Sequence, residues 1–103
     1  MRIAIASSGK DKNSKISPLA EQAKYYLIYE DRKFIESIRN PFVTKKGGAG
    51  ILIAKILSGH SVELAAAGHY SLDMVNALKK KKIKKMELHD MTVKQALEKV
   101  LRM

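Results

Sequence analysis

Cysteine is absent from the 103 residues, which excludes a disulfide framework, a thiolate nucleophile and any cysteine-held zinc or iron–sulfur centre. Long apolar runs are missing as well: none approaches the roughly 18–20 residues that span a bilayer. Acidic residues are scarce, 10 against 20 lysines and arginines, which leaves a formal charge of +10. They are also scattered. No carboxylate cluster could hold the paired metal ions of a nuclease, and no Ser/His/Asp set stands out, so the chain reads as a non-enzyme. The first residues, Met1-Arg2-Ile3-Ala4-Ile5-Ala6, carry one cation and an apolar run too short for a signal peptide. A cytoplasmic protein with no membrane partner is the expectation.

What is present suits one domain over residues 1–103, with 46% apolar and 29% charged residues. The stretch from Pro41 to Asn76 organises the rest. Gly47-Gly48-Ala49-Gly50 reads as a tight turn into an apolar helix that ends near Leu57, with Gly59 as terminator. Val62 to Ala67 reads as an interior strand of a parallel sheet. Gly68-His69-Tyr70-Ser71 is a second turn, where Ser71 caps a helix whose stripe is Leu72, Val75 and Leu78, widened by Met74 and Ala77. An apolar helix between strands needs a sheet to cover.

Taken in order, Arg2 to Ala6 is a central strand and Ser7 to Lys15 a polar loop. Ser17-Pro18 signals the start of a short helix over Leu19 to Ala23. Tyr25 to Tyr29 and Phe34 to Arg39 form a hairpin, closed by Asn40-Pro41, and Tyr25, Tyr26 and Tyr29 read as packing residues. Ile83 to Leu88 alternates like a strand near the sheet edge. Thr92 with Gln95 is a capping box, opening the stripe Val93, Ala96, Leu97, Val100 and Leu101. Right-handed crossovers then predict an α/β domain built on a five-stranded mixed sheet. The N-terminal strand is central, the hairpin lies on one side, the last two strands on the other, and helices cover both faces.

Ligands of such sheets bind beyond the carboxyl ends of the parallel strands. The turns Ser7-Ser8-Gly9-Lys10, Gly68-His69-Tyr70-Ser71 and His89-Asp90-Met91-Thr92 collect there, and Gly47 to Gly50 faces the same rim. Helix N-termini at the rim would offer unpaired N–H groups to an anion, and His69 and His89, on neighbouring strand ends, would reach one ligand. The candidate binding residues are Ser7, Ser8, Gly9, Gly47, Gly48, Gly50, Gly68, His69 and His89, with His69 as the metal ligand. The glycine run itself is neither a P-loop nor a dinucleotide fingerprint.

Six of the sixteen lysines fall between Lys79 and Lys85. Such a run fits a nucleic-acid partner or a solvated helix end, where cations favour the dipole. It lacks the interleaved aromatics of a base-stacking platform.

The ordered set Met1 to Gly9, Ser17 before Tyr25-Tyr26-Leu27-Ile28, Asn40-Pro41, Gly47 to Gly50, Ala67-Gly68, and Thr92-Val93 through Ala96-Leu97 resembles the dinitrogenase iron–molybdenum cofactor biosynthesis family. That family includes NifX, NafY and the C-terminal part of NifB. The resemblance implies a ribonuclease-H-like layer and carriage of an iron–sulfur or iron–molybdenum cluster, or its precursor, between assembly and acceptor proteins. Ser8, Gly48 and His69 match its loop positions. Relatives often carry a His-Phe-Gly-type sequence where this chain has Pro18-Leu19-Ala20-Glu21, which removes one candidate ligand. A cluster-delivery accessory protein, monomer or homodimer, is the expected function; the alternative is a nucleic-acid-binding module using Lys79 to Lys85.

Overall fold

Ile3, Ala4, Ile5 and Ala6 are wholly buried because strand β1 (Arg2–Ser7) has a neighbour on each edge and helices above and below. In the computed structural model, which describes residues 1–102, β1 pairs antiparallel with β2 (Tyr25–Glu30) and that with β3 (Lys33–Arg39). On its other edge β1 runs parallel to β4 (Leu64–Ala67), and β4 parallel to β5 (Lys84–Glu87). The sheet order is β3-β2-β1-β4-β5, as the crossover argument predicts.

Helices α1 (Ala49–Gly59) and α2 (Leu72–Lys80) share one face and α3 (Val93–Leu101) takes the other. Alternation along the strands divides the core accordingly. Ala4, Ala6, Ile28 and Ala65 meet Ile53, Leu57, Met74 and Leu78 on the first face. Ile3, Ile5, Leu27 and Leu64 meet Val93, Ala96, Leu97 and Val100 on the second. The alanines of β4 let both helical layers approach closely. No helix among the described residues is long and apolar enough to cross a membrane.

Several expectations change. The short helix is one 3-10 turn, Ala20–Gln22, and Ser17 does not cap it. Ser17 is buried instead, its hydroxyl donating to the Leu19 carbonyl at 2.7 Å and its N–H to the Ala6 carbonyl at 2.9 Å. Helix α1 has a solvent side, with Ile51 and Lys55 exposed. In α2, Leu72 points outward at 74% exposure, and Met74 and Leu78 carry the buried stripe. Gly59 is the last residue of α1 rather than its left-handed terminator; Ser61, at φ 60°, takes that role, and Lys82, at φ 59°, does so for α2. The loop over residues 8–17 is tied down at both ends. Ile16 donates to the Met91 carbonyl, and the carbonyls of Ser14 and Lys12 accept from Val93 and Lys94.

Candidate functional site

The carboxyl ends of β1, β4 and β5 form one rim, and the start of β2 and end of β3 lie beside it because Ser7 faces Tyr25 and Tyr25 faces Arg39. Between the 3-10 turn, the glycine turn and the end of β4 lies an open groove of about 300 Å3. Lys45, Lys46, Gly47, His69, Ser71 and Gln22 line it, with Leu19 and Glu21. Leu19 and Gln22 also border a smaller hollow with Ser8 and Lys24, and Lys24 leads on to an open depression with Arg39 and Thr44. The rim is therefore a continuous trough studded with cations. None of Lys24, Arg39, Lys45 and Lys46 enters an ion pair among the described residues.

Local chemistry explains how the groove is built. Gly47 and Gly48 both adopt left-handed φ, 77° and 76°, which turns the chain sharply into α1 and suits glycine alone. The Lys45 stem folds across this turn, its Cε lying 3.8 Å from where a Gly48 side chain would begin. On the opposite wall the N–H groups of Gly68 and His69 donate to the carbonyls of Ser17 and Pro18 at 3.0 and 2.8 Å, and the His69 carbonyl accepts from Ala20. The strap thus continues β4 as a short ladder and holds the His69 backbone rigidly, while its imidazole stays exposed. Asn40 locks the floor: its amide donates to the carbonyls of Glu21 and Ala23, and its oxygen accepts from Phe42.

The candidate residues separate into two groups. Gly47 and His69 line the main groove, Gly48 follows in the same turn as the cap of α1, and Ser8 borders the adjoining hollow while its hydroxyl donates to the Lys15 carbonyl at 3.0 Å. The others serve the scaffold. Ser7 is fully buried, its hydroxyl bonded to the backbone of Gly9, and Gly9 sits against Ser14. Gly50 lies inside α1, where a Cβ would meet that of Met74 at 2.5 Å. A side chain on Gly68 would strike the Pro18 carbonyl. These glycines make room for protein, not ligand.

His89 stands further along the rim, 3.1 Å from Glu87. That bond holds the Glu87 carboxyl below its usual range. The helix N-termini are less available than expected, because the chain occupies them itself. Glu21 accepts from Gly50 at the start of α1, Ser71 from Met74 in α2, and Thr92 from Gln95 in α3.

Sequence reasoning passed over Lys45 and Lys46. Their signal was two adjacent cations directly before a glycine turn at the rim. The run 79–85 lies elsewhere: α2 carries those lysines to the far end of the sheet, where Lys84 pairs with Leu64 at the start of β4. No group of three or more His, Cys, Asp or Glu residues able to hold a metal ion occurs among the described residues.

The apo form of the orange protein from Desulfovibrio gigas superposes with a TM-score of 0.92 at 25% identity, covering 98% of this chain and 87% of that one. A Thermotoga NifB-type protein of the DUF35 family gives 0.85 at 26% identity, again over 98% and 87%. No curated protein matches significantly. The family described as dinitrogenase iron-molybdenum cofactor matches over residues 1–103. Along its whole length, this chain belongs to the dinitrogenase iron–molybdenum cofactor family.

Proposed function

We propose that this protein holds and passes on a preassembled, anionic metal–sulfur cluster of the iron–sulfur or iron–molybdenum type. The observation that carries this reading is the rim groove, lined by Lys45 and Lys46, which enter no ion pair among the described residues, together with the exposed imidazole of His69. The donor set fits a cargo and not a resident ion. With no cysteine in the chain and no three-ligand cluster among the described residues, side chains alone give a bare metal ion little to hold it. A cluster that brings its own sulfides needs less: cations to offset its charge and one nitrogen ligand to fix its position. His69 is that ligand, Lys45 and Lys46 supply the charge, and the glycine turn allows close approach. Release is easy because the groove is open to solvent. Holding and handing over involves no bond-making in the protein, so the chain acts as an accessory factor and not as a catalyst.

Anaerobic titration with isolated iron–molybdenum cofactor or a soluble iron–sulfur cluster, followed by absorbance and gel filtration, tests the reading. Stoichiometric uptake is expected, lost in His69→Ala and weakened in Lys45→Gln/Lys46→Gln, while circular dichroism stays native. Absence of uptake by the native protein, or unchanged uptake by His69→Ala, would overturn it.

A further inference from the structure

The far end of the molecule carries a second basic surface that the rim groove does not use. Lys79, Lys80, Lys81, Lys82, Lys84 and Lys85 are all exposed, and none enters an ion pair among the described residues. They surround β5, which is the last strand of the sheet. The N–H groups of Lys84 and Leu88 bond to Glu63 and Ala67 on the β4 side, at 2.9 and 2.8 Å. Alternation along a strand therefore turns the main-chain groups of Lys85 and Glu87 outward, with no partner strand among the described residues. The flanking side chains point to opposite faces. Lys84 shares the α3 side with Met86 and Leu88, and Lys85 lies over the Tyr70 ring on the α2 side, 5.7 Å from its centre.

We infer that this edge docks an extended acidic segment of a partner protein, which adds to the sheet as a sixth strand beside β5. Backbone pairing supplies the register, and the lysines on both faces and beyond the start of the strand supply the charge. The same lysines keep two copies of β5 apart, because self-pairing would bring two cationic runs together. A nucleic acid fits less well. It has no main-chain groups for the outward edge of Lys85 and Glu87, and Tyr70 is buried beneath Lys85 and cannot stack. Lys82 adds to the argument: at φ 59° it holds a position where glycine is easier for the backbone, so a cation stands there at a local cost. The inference is independent of what the rim groove carries.

The test is a fluorescence-anisotropy titration with a labelled peptide of repeated Glu-Glu-Val-Val units, whose acids fall on both faces of a strand. Binding is expected to weaken roughly tenfold between low and physiological salt. It should drop by about fivefold or more in Lys84→Gln/Lys85→Gln. Glu87→Pro should lose it comparably, since proline removes an outward N–H and keeps every lysine. On the native protein, peptide should slow hydrogen exchange at the Lys85 and Glu87 amides, a readout that requires no variant. No binding, binding that leaves those amides unprotected, or a polythymidine strand of equal charge that binds more tightly than the peptide would each overturn the proposal.

Discussion

A methyl group on Gly68 would lie 2.3 Å from the Pro18 carbonyl oxygen, where backbone meets backbone and no side chain can rotate away. Gly68→Ala is therefore expected to lower stability by about 2–3 kcal/mol. Gly59→Ala should do the reverse, raising it by about 0.5–1 kcal/mol, since Gly59 is helical and has nothing near its missing Cβ. Urea midpoints of the two variants should move in opposite directions, and a shared direction would refute the packing argument. The pair also marks how far individual residues were legible. A glycine in a rim turn signals crowding, but not whether a ligand or another stretch of the same chain does the crowding. Gly50 and Gly68 read as ligand positions for that reason, while Met74 and Pro18 fill the space. His69 was legible because a strand end at a known rim is a matter of order along the chain. Ser7 was not, because its hydroxyl partner is the backbone of Gly9, and a buried serine looks in sequence like an exposed one.

Helix ends show which local signals carry through to structure. The Thr92–Gln95 box formed in full, with bonds of 3.2 and 2.9 Å, since both partners lie within one turn and need nothing else. Ser17-Pro18 failed as a start signal because the Ser17 backbone bonds to Ala6 of β1 and to Gly68 just past β4, both distant in sequence, while its hydroxyl donates to the Leu19 carbonyl. At the other end of α2, Ile83 donates to the Leu78 carbonyl at 2.9 Å, closing the turn that places Lys82 in the left-handed region. Lys82→Gly should consequently raise the thermal midpoint, corresponding to roughly 0.5–1 kcal/mol. A lower midpoint would mean that the lysine stem supports the fold in some other way. The strap over residues 8–17 looked like an ordinary polar loop; its order comes from carbonyls that accept from the first turn of α3, a long-range exchange without a sequence signature.

Across the whole molecule, charge is unevenly handled. The end bearing the β2–β3 turn pairs its charges: the amino terminus with Glu30 and Asp31, and Arg32 with Glu98 at 3.0 Å. The lysines of the rim groove and of the run 79–85 enter no ion pair among the described residues. The terminal ammonium holds the Glu30 carboxyl below its usual range, and Arg32 does the same for Glu98. A carboxyl lowered in the folded state contributes stability that is complete above its unfolded value and disappears as pH falls through the folded one. Thermal midpoints should therefore decline as pH drops through and below the ordinary carboxylate range near about 4, and Arg32→Ala should flatten that decline. An unchanged acid slope in the variant would exclude the Arg32–Glu98 contribution. At this scale the sequence was most informative: strand order followed from element order and crossover handedness, rules that need no side-chain detail, whereas which helix covers which face came only with the packing.

The position of β1 has one consequence for assembly. Its antiparallel partner arrives soon after it along the chain, but its parallel partner, β4, comes only after the hairpin and α1. Contacts between near neighbours in sequence close quickly and distant ones slowly. The meander of β1, β2 and β3 is thus expected to form early, with one edge of the innermost strand waiting as an open template. The α1–β4 unit then docks there, and the rim groove comes into being only with that last, slowest step.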